Sequence, residues 1–512
     1  SLLTKSGRTV LVSLRQVEAV AFYSVCPSPA AAGDGRGRAR AGTVESPALN
    51  KVFASPEAAV ADVPDGSVVG IGAFGVAHRY PTSLLTALRD TTQAKDLALV
   101  GNTPGGPGDI RTDLTIAGRV NRLWQGFAPR PGVPEIDQAI DQGRLSIEIV
   151  PQGTMVERCR AAAAGIPAFY TPTGAGTLIA GGKDVRYFDG RPYVLERWLK
   201  LDFAFVRAWR ADPLGNTQFR EASQNFGPSF CKAARVAIVE VDEVVAIGDI
   251  QPDDVDLPGI FVDRVVKKTI DVPHPTSAGG GLRRRPAESA KTYLGKTALT
   301  RSGIARNAAA LLRTGAYVNL GIGIPTMVSN YLEGRDVTLH AENGVLGYGE
   351  MVGGEAIDPD AYNAGGQFVA VRPGASFFDS VTSFEMARSG RLDAVILGGY
   401  EVDQHGDLAN WKTDESRGGV GGAMDLVAGG CTLIITMEHR DSRDRPKLVP
   451  RCHYPVTGRG CVDIVVTDLA VLRREPGQPF TLEAIAPGFA VDDIRQLTDM
   501  ELLIAAEVRT MA

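Results

Sequence analysis

No apolar run in the 512 residues reaches the roughly 18–20 positions that a membrane-spanning helix needs, so no membrane partner is expected. An excess of basic charge is missing too. The 54 Lys and Arg are outnumbered by 59 Asp and Glu, for a formal net charge of −5, which lacks the electrostatic footprint of a nucleic-acid binder. Cysteine is sparse and scattered: Cys26, Cys159, Cys231, Cys431, Cys452 and Cys461 form no C-x-x-C pair. The nearest two, Cys452 and Cys461, have no two-histidine partner set, and His453 beside Cys452 reads as coincidence. The pattern argues against a zinc site or a disulfide framework and for reduced structural thiols; no metal is expected. What remains is ordinary globular composition, 44% apolar and 22% charged. A chain this long exceeds one core, so two domains are expected.

Residues 1–48 differ from the rest. Pro27 to Gly42 is rich in Pro, Ala, Gly and Arg, and the stretch carries Arg8, Arg15, Arg36, Arg38 and Arg40 with few acids. It reads as a disordered extension or a targeting segment. The expected location is accordingly cytoplasmic, or the mitochondrial matrix if the extension is a transit peptide. Residues 49–268 form the first expected domain. Ser55 caps a helix from Pro56, the strand Val68–Ile71 runs into a glycine loop, and a helix near Thr82–Arg89 precedes the strand Leu97–Val100. This β-loop-α-β order signals a parallel sheet. Further strands are expected at 145–150, 203–206 and 236–241, with a helix at 155–164. Residues 269–296, with Pro273, Pro275, Gly279-Gly280-Gly281 and Arg283-Arg284-Arg285, read as a solvated linker. Residues 297–512 form the second domain, opening with an amphipathic helix at 298–312 and the strand Ala316–Leu320.

The halves repeat each other. Aligning Gly66 with Gly315 brings Val69 onto Val318 and Gly72 onto Gly321. Asp202-Phe203 and Asp393-Ala394 then begin corresponding strands, and 236–241 corresponds to 432–437. The fold class is α/β: two related, duplicated domains with mostly parallel sheets, and a site in the cleft between them.

Within the second half, residues 337–349 stand out. Val337, Thr338 and Leu339 end a strand, and Glu342-Asn343-Gly344 follows, placing Glu342 at the strand's carboxyl edge, where open α/β sheets bind ligands. Asn343-Gly344 is expected to supply the positive-φ positions of a tight turn, with Gly347 and Gly349 keeping the chain loose. Glycine loops lie upstream at 319–326 and downstream at 418–425. Such loops admit a bulky ligand close to the backbone. One loop, Gly70-Ile71-Gly72-Ala73-Phe74-Gly75, matches the dinucleotide pattern G-x-G-x-x-G. Pro81 delays the helix that should open on its last glycine, and Asp90 falls at a helix end, so a nicotinamide oxidoreductase is disfavoured.

From about Lys51 to the C-terminus the chain resembles family I CoA-transferases, in particular the succinyl-CoA:3-ketoacid CoA-transferases. The resemblance rests on Pro151-Gln152-Gly153-Thr154, Gly165-Ile166-Pro167-Ala168-Phe169-Tyr170, Gly321-Ile322-Gly323-Ile324-Pro325, His340-Ala341-Glu342-Asn343-Gly344, Gly406-Asp407-Leu408-Ala409-Asn410-Trp411 and Gly421-Gly422-Ala423-Met424-Asp425-Leu426, in the family's order. It implies an enzyme moving CoA from an acyl-CoA, such as succinyl-CoA, to a 3-oxoacid such as acetoacetate or 3-oxoadipate. Glu342 matches the nucleophile that becomes a glutamyl-CoA thioester. Gln152 and Gly422 match the oxyanion donors. Asn102, Asn319, Gly321, Gly323, Asn343, Gly344, Asn410 and Ala423 fall in CoA-contacting regions. Coenzyme A is expected as substrate and covalent intermediate, with no permanently bound cofactor, and the resemblance implies a homodimer. An acyl-CoA hydrolase using the same Glu, or a non-catalytic CoA-binding protein, stays open. Departures from the family include Ala73, Thr103, Ala341, Gly366 and the segment Lys412–Arg417. Arg79 is either a clamp for a second substrate carboxylate or a surface residue. His340 is a hydrogen-bonded rim residue or, less in keeping with this chemistry, an acid–base group.

Overall fold

Hydrophobic strands without alternation dominate both halves of the chain, and each half builds a sheet buried on both faces. The computed structural model describes residues 50–74, 79–129, 132–272 and 289–512. The extension 1–48, Gly75 and His78 of the first glycine loop, and the linker residues 273–288 lie outside the described residues.

The first sheet orders its strands Arg264–Lys267, Ala234–Val244, Leu201–Ala211, Val68–Gly72, Leu97–Gly101, Val120–Gln125 and Ser146–Ile149. All of these neighbours pair in parallel. The second sheet has ten strands. Its centre, Val337–Ala341, Ala316–Leu320, Ala394–Gly398, Thr432–Thr436 and Ile464–Val466, is parallel. Antiparallel pairs flank the centre: Val345–Met351 with Val369–Phe377 on one side, and Ala470–Arg474 with Phe480–Ile485 on the other.

The repeat read from the sequence is reproduced in register. Val69 pairs with Leu99 and Phe203, and Val318 pairs with Leu339 and Ala394. Asp202 accepts the Val68 N–H at 2.8 Å, and Asp393 accepts the Tyr317 N–H at 2.8 Å. Gly66 and Gly315 share a φ of 77° at the turn before each strand, a backbone state that favours glycine. Continuing the alignment along the neighbouring strand makes Asn102 the counterpart of Glu342.

Leu49–Ala512 cluster as one compact unit. One apolar core belongs to the first half, around Leu84, Leu97 and Phe203, and another to the second, around Leu433, Ile435 and Phe480. A third runs through both, from Phe74, Met155 and Phe226 to Val318, Leu339 and Phe384. Side chains from the two sheets interdigitate there, which fixes their carboxyl edges relative to one another.

Candidate active site

Glu342 is the first residue beyond the strand Val337–Ala341, and the chain doubles back through Asn343-Gly344 into the antiparallel strand Val345–Met351. Only Gly344 of this turn takes positive φ, at 112°; Asn343 does not, contrary to the expectation that both would. A Cβ on Gly344 would stand 1.9 Å from the Phe378 carbonyl oxygen, so no other residue fits. Gly347 and Gly349 are held within the returning strand rather than loosening a loop. Asn343 is fully buried and turned inward, its Nδ2 donating to the Tyr362 carbonyl at 2.8 Å. It braces the turn from behind.

Glu342 opens onto a cleft of about 1210 Å³. Ile322, Tyr400 and Trp411 line it from the second half of the chain, and Asn102, Phe127 and Gln152 from the first. Glu342 is 9% exposed, and its Oε2 accepts from Asn319 Nδ2 at 3.0 Å. Burial pushes its pKa up, the Asn319 bond opposes that, and the nearby Asp425 charge adds to it. Gly422 passes alongside: a methyl group built there would lie 3.3 Å from Glu342 Oε1.

Gln152 opens the helix Gln152–Ala163, instead of ending the preceding strand. Its side chain is buried at the cleft wall, and its backbone N–H donates to the Gly421 carbonyl at 2.9 Å. The next N–H, of Gly153, donates to Asp425 Oδ2 at 2.9 Å. Asp425 is fully buried and also accepts from Thr173 Oγ1 at 3.0 Å and Arg388 Nη1 at 3.2 Å. A Cβ on Gly153 would fall 2.5 Å from the Asp425 carboxyl carbon, so glycine is what lets the helix end approach. One carboxylate thereby ties Gln152, from one half, to the short helix Ala423–Val427 that Gly422 caps in the other. Burial raises the Asp425 pKa, with Arg388 as the chief opposing charge.

Asn102 follows the strand Leu97–Gly101 as Glu342 follows its own. It is 2% exposed, faces the cleft, and neither its Nδ2 nor its Oδ1 has a protein partner. A buried amide left open on both sides is a ready contact for a ligand. Asn410 is committed elsewhere: Nδ2 donates to the Gly398 carbonyl at 3.1 Å, and Oδ1 accepts from Thr457 Oγ1 at 2.6 Å. It holds up its neighbour Trp411, which does face the cleft. Gly321 donates to the Ile396 carbonyl at 2.8 Å, and Gly323, at φ 101°, turns the chain so that Ile322 projects into the cleft.

Other parts of the site are not signalled by the sequence. The glycines at 419 and 421 lie flat on Phe127, where a Cβ would come within 2.4 Å and 2.7 Å of the ring. Only the aromatic character of Phe127 could have signalled that contact. His340 is fully buried, so it is not a rim residue. Arg79 is neither a substrate clamp nor a surface residue. Its guanidinium is bound by Asp360 and Asp242, in a network that continues through Arg207 and Arg220, with its side chain 11% exposed. Among the described residues, no helix is long and apolar enough to cross a membrane, and no group of three or more His, Cys, Asp or Glu is placed to hold a metal ion.

The sequence profile of the family described as Coenzyme A transferase matches residues 53–268 and 303–497. The mitochondrial succinyl-CoA:3-ketoacid coenzyme A transferase 2 of Homo sapiens is 38% identical over 496 residues, covering 91% of this chain and 92% of that protein. One of the two chains of a 3-oxoadipate CoA-transferase from Pseudomonas putida is 41% identical over 218 residues, which is 43% of this chain and 94% of that one. Among solved structures, the acyl-CoA transferase YdiF of Escherichia coli O157:H7, crystallised as a thioester complex with CoA, superposes with a TM-score of 0.72. That alignment covers 90% of this chain and 95% of YdiF at 22% identity, a likeness of fold.

Proposed function

The chain belongs to the coenzyme A transferase family, and from that premise we propose that it transfers CoA from succinyl-CoA to a 3-oxoacid, acetoacetate or 3-oxoadipate, through a thioester on Glu342. The observation that carries the reading is the Glu342 carboxyl group: nearly buried, held by Asn319 at 3.0 Å, and facing a cleft to which both halves of the chain contribute.

The chemistry follows from that setting. A carboxylate is a weak nucleophile in water, and removing its hydration shell while fixing its direction makes it competent. One Glu342 oxygen attacks the thioester carbon. The C–S bond breaks, CoA leaves as thiolate, and a mixed anhydride remains. The thiolate then attacks the Glu342 carbonyl carbon. The anhydride C–O bond breaks, releasing the first acid as carboxylate and leaving glutamyl-CoA. A second carboxylate runs both steps in reverse and departs as acyl-CoA. One activated acyl bond replaces another throughout, so no ATP is consumed. Each attack passes through a tetrahedral oxyanion. The Gln152 amide and the Gly422 N–H, on opposite walls and tied together through Asp425, are the groups we assign to it. Losing one such donor typically costs about 10²–10³ in rate. Asn102 is assigned to the bound substrate, because both halves of its amide are open.

The names of the single-chain relatives place those proteins in mitochondria, which favours the mitochondrial alternative for this chain over the cytoplasmic one.

The test is a succinate-release assay with succinyl-CoA, with and without acetoacetate or 3-oxoadipate. Release that depends on the acceptor is expected, with the preferred acceptor identifying the second acid. Equal release without any acceptor would mark a hydrolase instead.

A further inference from the structure

Behind Glu342 lies a closed chain of hydrogen bonds that the proposed reaction does not itself use. Asn319 Nδ2 has two hydrogens. It lies 3.0 Å from Glu342 Oε2, 3.1 Å from His340 Nδ1 and 3.3 Å from the His340 carbonyl oxygen. His340 Nε2 is 2.9 Å from Ser383 Oγ, and Ser383 Oγ is 3.3 Å from the Ala341 carbonyl oxygen. His340 and Ser383 are fully buried, and the Phe378 ring stacks on the imidazole with centroids 6.4 Å apart.

Only one polarity satisfies this chain beside an ionised Glu342. The carboxylate accepts only, so Asn319 must present its NH₂ to it. The second hydrogen of that NH₂ then points to His340 Nδ1, which must be bare. The imidazole proton therefore sits on Nε2 and goes to Ser383 Oγ, whose own hydrogen goes to the Ala341 carbonyl. The opposite tautomer would set N–H against N–H at Nδ1 and drive the Asn319 amide to flip. Its oxygen would then face the Glu342 carboxylate, a contact that forces a proton onto the carboxyl group and removes the nucleophile. Asn319 Oδ1 has no protein partner, so nothing else fixes which way this amide points.

We propose that His340 is a positioning residue: as the neutral Nε2–H tautomer it locks the Asn319 amide with its NH₂ toward Glu342, keeping that carboxyl group ionised and aimed. The inference rests on the reading of Glu342 as nucleophile, but it makes a claim that can be read without turnover.

The experiment uses the full chain labelled with ¹⁵N-histidine; there are six histidines, and the His340 signals are assigned by their loss in His340→Asn and, independently, in His340→Gln. At neutral pH the expected pattern is one protonated nitrogen, Nε2, and a bare Nδ1. A protonated Nδ1, alone or together with Nε2, overturns the proposal. In parallel, His340→Asn keeps an acceptor where Nδ1 stood, and His340→Leu does not. Adduct formation with succinyl-CoA is expected to fall by about 10–100-fold in His340→Leu, as losses of orienting partners commonly do. KM should hold and His340→Asn should retain most of the rate. Equal slowing in both variants also overturns the proposal, since lost packing would then be sufficient. Wild-type protein that forms no adduct while showing the Nε2–H signature would fail the Glu342 reading and leave the tautomer assignment standing.

Discussion

At the residue scale, Glu342 is held where the folded chain favours its neutral form. Burial raises its pKa, so the folded state binds a proton at Glu342 more tightly than the unfolded chain does, and stability falls as pH rises above the ordinary carboxyl value. Glu342→Gln should therefore unfold at a higher temperature than wild type at neutral pH, by about 1–3 °C. The gain should shrink as pH drops to the ordinary carboxyl range; calorimetry across pH reads both. Gly344→Ala should do the reverse. Its Cβ collides with the Phe378 carbonyl and its φ is strained, so a loss above about 2 kcal/mol is expected in denaturant titration. Residues whose roles lie in local chain geometry are legible in the sequence: a carboxylate at a strand end, and a glycine in the turn after it. The orientation of Asn343 and the fate of Arg79 are not. Arg79 finds its acids 163 and 281 positions away, and no local pattern encodes such partners.

At the element scale, the oxyanion assignment depends on two helix ends meeting. Asp425 receives the Gly153 N–H at the start of one helix and sits in the first turn of the other. Asp425→Asn should keep an acceptor for Gly153 but turn an NH₂ toward Arg388 or Thr173. A fall in kcat with little change in the KM for acyl-CoA is expected, with about 1–3 kcal/mol lost in stability, as measured by steady-state kinetics and thermal unfolding. A drop in KM alone, with kcat intact, would detach Asp425 from the chemistry. The central strands are readable because a parallel sheet buried on both faces writes itself as short apolar runs. The helix that begins at Gln152 reads from sequence as starting three residues later, because Pro151 offers no side-chain cap. Nothing in the sequence points to the three-stranded sheet formed by Ala168–Thr171, Arg191–Arg197 and Val185–Phe188. Its edge strand, Val185–Phe188, is exposed at every position, so no inside–outside alternation marks it.

At the scale of the whole molecule, duplication explains why the site sits where it does. Two copies of one strand order meet at their carboxyl edges, and corresponding positions carry Asn102 in one and Glu342 in the other. A single ancestral edge thus supplies both an open amide and the carboxylate. The repeat is legible because its register marks, Gly66 with Gly315 and Asp202 with Asp393, are sequence-local; the shared core is not, because it joins residues far apart in the chain. We propose that residues 49–268 and 297–512 act as the two domains. Breaking the chain between residues 272 and 289 should then give halves that co-purify and are active when expressed together. Each alone should be insoluble, since each would expose its share of the common core. Soluble, separately folded halves that fail to associate would contradict this.

The most direct test of the Glu342 reading is peptide mass spectrometry after incubation with succinyl-CoA. A CoA-sized adduct on the peptide containing Glu342, absent from Glu342→Gln, is the predicted result. Continued CoA transfer by the wild-type protein with no adduct at Glu342, or with the same adduct retained in Glu342→Gln, would contradict it.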